Sequence, residues 1–350
     1  VNASEKNLKP ASAMATKSRH LTDREDLISW YGKVKRPLPW RADRDPYRIW
    51  ISEVMLQQTT VAAVIPYYLK FLARFPDLKT LAQSELGDVI EMWAGLGYYS
   101  RARNLHKSSQ ALASSGFHQT AAELQLLPGF GPYTSRAVAS LAFGQRTGVL
   151  DGNVIRVLSR KYGIKSQWWK PKARAQLQIL ADALAQTDRS SELNQGMMEL
   201  GATVCTPKSP SCLICPWVKT CVARRQFAID KYPLSKPRRQ TEIWQWSPKI
   251  IVSRNRVLLI ANTYSPFLKS HFTLPGTARQ LEKAPKKFDF RGGVTHHDIF
   301  VTVKVPKSLA GESNVVKKDM KWVSLDQLKK EIPASLIRKA ISAGLAKRSL

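Results

Sequence analysis

Cysteine is scarce in this chain: four in 350 residues, all between Cys205 and Cys221. A disulfide-stapled secreted scaffold needs pairs spread along the sequence, so that class is excluded. Long apolar runs are missing too; nothing approaches the roughly 18 uninterrupted apolar residues of a membrane span. Residues 1–20 carry Lys6, Lys9, Lys17 and Arg19 but no apolar segment, so they are expected to form a disordered basic tail and not a secretory signal. Acids are few: 26 Asp and Glu face 55 Lys and Arg, a formal net charge of +29. An excess of that size, spread over the whole length, points to a polyanionic partner, either nucleic acid or an anionic membrane surface. Disorder throughout is excluded, because 43% of the residues are hydrophobic and can build cores. The length corresponds to about two domains.

From residue 21 to about 223 the apolar spacing is helical. Thr22 and Glu25 offer a capping box ahead of Leu27, Ile28, Trp30 and Tyr31. Further helices are predicted over 47–60, 66–74, 86–93, 101–113, 132–143, 153–162, 172–185 and 191–200. Between 224 and 242, Lys231, Lys236, Arg238 and Arg239 sit with Pro233 and Pro237, which reads as a stiffened basic linker. Beyond it, β-branched runs at 249–253, 257–262, 299–305 and 322–324 predict strands, and helices are predicted at 325–330 and 335–346. The fold class is therefore mainly α, a helical domain followed by a smaller α+β domain over 243–350.

Three constellations carry chemistry. Cys205, Cys212, Cys215 and Cys221 are separated by six, two and five intervening residues. Four thiolates in one short loop suit a zinc ion or an iron–sulfur cubane, and chemistry alone leaves both open. Leu127-Pro128-Gly129-Phe130-Gly131-Pro132-Tyr133 precedes an apolar helix. Gly129 and Gly131 let the backbone turn tightly and approach a ligand, Pro132 suits the first helical position, and the free N–H groups there favour a phosphate. The third constellation is a pair of acids. Asp151, ahead of Gly152-Asn153-Val154, suits a helix N-cap that favours the ionised carboxylate, whereas Glu53, in the apolar stretch Ile49–Leu56, should be protonated if buried. Two acids with environments that push their pKa values apart can divide the work of cleaving a glycosidic bond.

The order of the cysteine spacings resembles the 4Fe–4S loop of the endonuclease III superfamily, and the glycine-rich turn resembles its helix-hairpin-helix. Leu38-Pro39-Trp40-Arg41, Ser52-Glu53-Val54-Met55-Leu56-Gln57-Gln58-Thr59, Gly95-Leu96-Gly97-Tyr98-Tyr99, Arg101-Ala102-Arg103-Asn104-Leu105 and Leu150-Asp151-Gly152-Asn153-Val154 together resemble adenine DNA glycosylases of the MutY type. The resemblance implies a two-lobed helix-hairpin-helix domain with an iron–sulfur loop, acting on DNA that contains a mismatched adenine. It implies Glu53 as the acid that protonates the flipped base and Asp151 as the group that stabilises the cationic sugar, with Tyr133 and Asn153 hydrogen-bonding around them. Gln58 and Tyr98 match residues that wedge into the duplex; Arg41, Leu96, Gly129 and Gly131 are carried as further DNA contacts. A lyase of the superfamily has lysine where this chain has Tyr133, and tyrosine cannot form a Schiff base, so the resemblance implies a monofunctional enzyme.

Val257-Leu258-Leu259-Ile260, Phe272-Thr273-Leu274-Pro275-Gly276 and Lys321-Trp322-Val323 resemble the Nudix-like C-terminal domain of the same family, without the acidic hydrolase box. Val294-Thr295-His296 takes the place of its Phe-Ser-His, so Thr295 and His296 are the implied contacts to 8-oxoguanine. Ser135-Arg136 departs from the small residues expected after the hairpin. The rival readings are a mismatch glycosylase that removes thymine or a damaged pyrimidine, and a non-catalytic DNA-binding scaffold. The protein is expected to act as a monomer, away from membranes, in bacterial cytoplasm with the nucleoid or in a nucleus.

Overall fold

The structure, a computed structural model, describes residues 10–237, 239–268, 272–306, 319–332 and 334–348. The helices α1 (Pro10–Val34), α2 (Pro46–Leu56), α3 (Val61–Arg74), α4 (Leu78–Gln83), α5 (Leu86–Met92), α6 (Ser100–Ser115), α7 (Ala121–Leu124), α8 (Pro132–Phe143), α9 (Gly152–Tyr162), α10 (Pro171–Leu184), α11 (Ser190–Thr203) and α12 (Val222–Arg225) come first. The strands β1 (Glu242–Pro248), β2 (Val252–Ser253), β3 (Arg256–Ala261), β4 (Phe272–Thr273), β5 (Gly276–Leu281), β6 (Phe290–Val294), β7 (His297–Val301) and β8 (Met320–Ser324) follow, then α13 (Leu328–Glu331) and α14 (Ser335–Arg348). Among the described residues no helix is long and apolar enough to cross a membrane.

Among the described residues two compact units result: 10–84 with 100–236, and 85–99 with the described residues from 237 to 348. The helical core of the first joins Leu27 and Ile28 of α1, Ile155 and Leu158 of α9, Leu177 of α10, Met197 of α11 and Trp217 of the cysteine loop. Trp217 donates its indole N–H to the Asp23 carbonyl at 2.9 Å, and buried Lys161 pairs with the Asp23 carboxylate, so the loop is tied to α1 from within. In the second unit one sheet has the order β5-β1-β7-β6, with β1 parallel to β7 and the other pairs antiparallel. The other sheet is built on β3, which pairs with β2, β4 and β8. Its core holds Trp246, Leu259, Phe267, Ile299, Val301 and Ile337.

Several expectations are corrected here. α1 begins at Pro10, inside the stretch read as a tail, and runs through the supposed capping box at Thr22; the intervening residues are helix formers with no glycine or proline to stop them. Residues 1–9 lie outside the described residues. The first part of the expected linker is anchored to the helical unit, since Arg160 donates to the Tyr232 carbonyl (3.0 Å) and Trp168 to that of Leu234 (2.9 Å). Residues 85–99, placed in the helical domain by sequence order, cluster with the second unit, where α5 packs on α13. The strands β1, β5 and β6 were not expected. Phe290-Arg291-Gly292-Gly293-Val294 and Gly276–Leu281 are poor in β-branched residues, so ladder pairing and not local propensity makes them strands.

Candidate active site

Glu53 lies in α2, whose start is set by Pro46 and by the Asp45 carboxylate accepting from the Tyr47 N–H at 2.8 Å. Ile49, Trp50, Ile51, Val54 and Met55 bury the helix nearly all round, and Glu53 goes in with them, only 3% exposed. Arg101 closes the other end of α2, donating to the carbonyls of Val54 (2.7 Å), Met55 (3.2 Å) and Gln57 (2.8 Å). α2 packs against α8, whose second residue is Tyr133. Its hydroxyl donates to Glu53 Oε2 at 2.6 Å. Burial pushes the Glu53 carboxyl up to about 7; the Tyr133 bond opposes this, and nearby Asp151 adds to it.

Asp151 is the N-cap of α9. Its Oδ1 accepts from the Val154 N–H at 2.7 Å and its Oδ2 from Asn153 Nδ2 at 3.1 Å. The cap does not act alone on its charge: burial lifts the carboxyl above the ordinary aspartate range, and the bonds from Val154 and Asn153 offset only part of that. Asn153 is itself held, accepting at 2.8 Å from Arg156, which also donates to the carbonyls of Gly201 and Cys205, both at 2.8 Å. A hydrogen-bonded chain thus runs from Asp151 to the cysteine loop. Arg136, the departure noted after the hairpin, has a structural task. It bonds Thr147 and pairs with Asp182 at 2.6 Å, and Asp182 also accepts from the Gly148 N–H, which pins the loop that delivers Asp151.

Glu53, Tyr133, Asp151 and Asn153 line one cavity of about 830 Å³. Arg41 lines it as well, but its guanidinium is turned to Glu199 (2.9 Å), so it is cavity wall and not an exposed cation. Glu199 and Arg36 were missed by sequence reasoning. Glu199 is buried to 1% exposure and also accepts from Arg36 at 2.6 Å; burial pushes its carboxyl up, but the two arginines outweigh that and hold it below the usual range. The signal was available: Glu199 is a lone acid in Met197-Met198-Glu199-Leu200-Gly201, as Glu53 is in its own apolar stretch. Replacing Glu199 with glutamine should destabilise the protein by roughly 3 kcal/mol, because two guanidinium groups lose their buried counter-charge. A melting or denaturant curve checks this, and a change under about 0.5 kcal/mol would show that the pair is screened as at a surface.

The other expected contacts divide. Gly129 has φ 81, and a Cβ there would meet Asn104 Cβ at 2.8 Å, so the turn requires glycine. Gly131 caps α8 with φ −72, and its added Cβ would meet nothing within 4 Å, so neither conformation nor packing demands its glycine. Gln58, in the first unit, is exposed at φ 59. Tyr98, in the second, is 54% exposed at φ 49. Backbone strain at two exposed non-glycine residues is the kind of feature that functional loops retain. Leu96, by contrast, is only 8% exposed: the turn around it folds the side chain inward, which corrects its reading as a surface contact. Thr295 and His296 form the two-residue turn between β6 and β7, with Thr295 at φ 56.

None of the four cysteines is paired in a disulfide, and they surround one small apolar cavity lined also by Val204, Val218, Ile229, Arg160 and Arg224. Arg160 Nη1 lies 3.5 Å from Cys205 Sγ. Two cations beside four sulfurs suit a group that carries net negative charge once the thiols are ionised.

The buried acid pair thus lies behind a helix led by the glycine-rich hairpin. The family model described as HhH-GPD superfamily base excision DNA repair protein matches residues 51–182, from α2 into α10. The chain is 48% identical over 220 residues to the adenine DNA glycosylase of Homo sapiens, an alignment covering 59% of this chain and 40% of that protein. It is 37% identical over 254 residues to the adenine DNA glycosylase of Buchnera aphidicola subsp. Schizaphis graminum, covering 71% of this chain and 73% of the relative. A thermostable thymine-DNA glycosylase structure superimposes with a TM-score of 0.55 at 27% identity, over 61% of this chain and 99% of that one. The chain belongs to the adenine DNA glycosylase family.

Proposed function

We propose that this protein excises adenine mispaired with 8-oxoguanine or guanine, by hydrolysing the bond between base and sugar. The observation that carries the reading is the shared cavity holding a carboxyl poised near neutrality and a second carboxyl capped by N–H donors. Excision of a stacked base requires extruding it first, and a cavity of this size takes a flipped nucleotide. With Tyr133 donating to Oε2, Glu53 keeps Oε1 for its acid proton and delivers that proton to a purine ring nitrogen. Asp151, both oxygens supplied with donors, meets the cationic sugar as the bond breaks, by charge or by a transient covalent bond. The protonated base leaves as its bond to the sugar breaks, and water then adds to the sugar and gives its proton to the Glu53 carboxylate, with the DNA backbone intact.

On the DNA side, the α8 N-terminus with its open Gly131 holds a phosphate, and Gln58 and Tyr98 disturb the stack around the target. Cys205, Cys212, Cys215 and Cys221 hold a 4Fe–4S cluster, a choice that rests on their spacing and on the arginines facing them. Its contribution when bound is to rigidify the loop that Arg156 ties to Asn153. Elemental analysis giving zinc in a colourless protein would reverse that choice. The second unit is read as a Nudix-like binding domain whose β6–β7 turn, with Thr295 outermost, senses the 8-oxoguanine.

The test uses duplexes containing oxoguanine:A, G:A, G:T or an oxidised pyrimidine, with and without alkali. Strand breaks are expected at adenine alone and only after alkali. Breaks without alkali would refute monofunctional chemistry, and cutting at G:T in place of adenine would favour the thymine reading that the solved thymine-DNA glycosylase raises.

A further inference from the structure

The side chains of Glu242, His296 and His297 converge in the second unit, where β1 begins beside the β6–β7 turn, with one donor atom from each within 4.8 Å of the others. His296 Nε2 is 3.3 Å from Glu242 Oε1 and His297 Nε2 is 3.5 Å from Glu242 Oε2. Donor atoms about 2.0–2.1 Å from a tetrahedral zinc ion sit about 3.3 Å apart, so both His–Glu242 separations are compatible with one shared ion.

One further hydrogen bond says which nitrogen of His297 is bare. His297 Nδ1 faces the Val294 carbonyl at 3.2 Å, and a carbonyl only accepts, so Nδ1 carries the proton. Thr295 Oγ1 donates to that same carbonyl at 2.7 Å and lies 3.3 Å from His296 Nδ1. On His297 the Nδ1 proton leaves the Nε2 lone pair facing the Glu242 carboxylate, and the two imidazole rings lie with their centroids 4.1 Å apart on the same side of it. One divalent cation resolves all three groups together. The surroundings supply the outer contacts that metal-bound side chains ordinarily have: Trp244 Nε1 donates to Glu242 Oε2 at 2.9 Å, and the Glu242 N–H donates to the His296 carbonyl at 2.9 Å.

We propose that Glu242, His296 and His297 form a binding site for a divalent transition metal of the zinc type. The ion clamps the first residue of β1, just after the basic segment that leads into it, to the turn that carries Thr295. It occupies His296 Nε2, which leaves Thr295 as the turn's outward-facing group. The two imidazoles and one carboxylate leave a coordination position for water or another ligand, and the donor set disfavours magnesium and calcium. The proposal does not rest on the excision chemistry, which belongs to the other unit.

The experiment is a zinc titration of the full chain, carrying its occupied cysteine loop and stripped of loosely held metal, in competition with a chromophoric chelator. His297 is nearly buried, so the partly exposed residues carry the test as His296→Gln and Glu242→Gln, with circular dichroism to verify folding. One additional zinc per chain, bound at micromolar affinity or tighter and weakened more than about 100-fold in each variant, is the expected result. No additional zinc, weaker binding in the wild type, or equal binding in the variants would overturn the proposal.

Discussion

Glu53→Gln is expected to lower the single-turnover excision rate by at least about 10³-fold while leaving duplex binding within a few-fold of wild type. Glutamine keeps the shape and can still accept from Tyr133, but it has no proton of useful acidity for the leaving base. The pH profile of the wild type supplies an independent check. A carboxyl with a pKa of about 7 is loaded below that pH, so the rate should fall about tenfold per unit above it. Near-wild-type turnover in Glu53→Gln, or a rate still rising at pH 8, would sink this assignment. Stability should move the other way. The pKa of Glu53 is raised on folding from about 4.5 to about 7, so the preference for the folded state is full below 4.5 and lost as pH climbs through 7. Glutamine removes that loss, and the variant should be more stable than wild type at pH 8, by up to roughly 3 kcal/mol, and not at pH 4.

Asp151→Asn should reduce excision by about 10²–10³-fold, because the amide cannot offer negative charge to the sugar cation or capture it. The cap is the confounding role. Asparagine caps helices nearly as well as aspartate, and its oxygen can still accept from the Val154 N–H, so melting should shift by less than about 1 kcal/mol. Asp151→Ala would lose charge and cap together and cannot separate the two. A large fall in rate with little change in melting assigns Asp151 to chemistry; a rate loss matched by unfolding assigns it to α9. Burial also raises the Asp151 carboxyl, so the rate should decline at acid pH as it becomes protonated, giving a bell whose limbs belong to the pair.

Much of the site was legible before any coordinates. Glu53 stood out as an acid in an apolar helix, Asp151 as an N-cap, and the cysteines as one cluster; each is a local signal, and all the corresponding geometry is found within the helical unit. Arg136 looked like an anomaly because small residues were expected after the hairpin, and its partner Asp182, 46 residues away, could not be read locally. Leu96 looked like a contact because a turn rich in glycine gives no hint of which side chain folds inward. Glu199 carried the same signal as Glu53 but sat in no recognised block, and its pairing with Arg36 and Arg41 spans about 160 residues of chain. The β5 and β6 strands were invisible because their pairing partners, not their composition, make them strands, whereas Ile243, Trp244 and Trp246 in β1 were a strand signal that sequence reasoning missed.

By itself the sequence determined the helical domain and its successor, the acid pair and the four-cysteine loop, since apolar period, cap residues and ligand spacing act over a few residues. Only the tertiary structure decided that Glu53 and Asp151 share a cavity, that Arg41 faces a buried glutamate, that residues 85–99 join the C-terminal unit, and that two histidines meet Glu242. Those facts depend on which distant surfaces bury one another, and burial is also what shifts the pKa values. A chain with no contacts has neither a dry cavity nor a neighbour to set its protons.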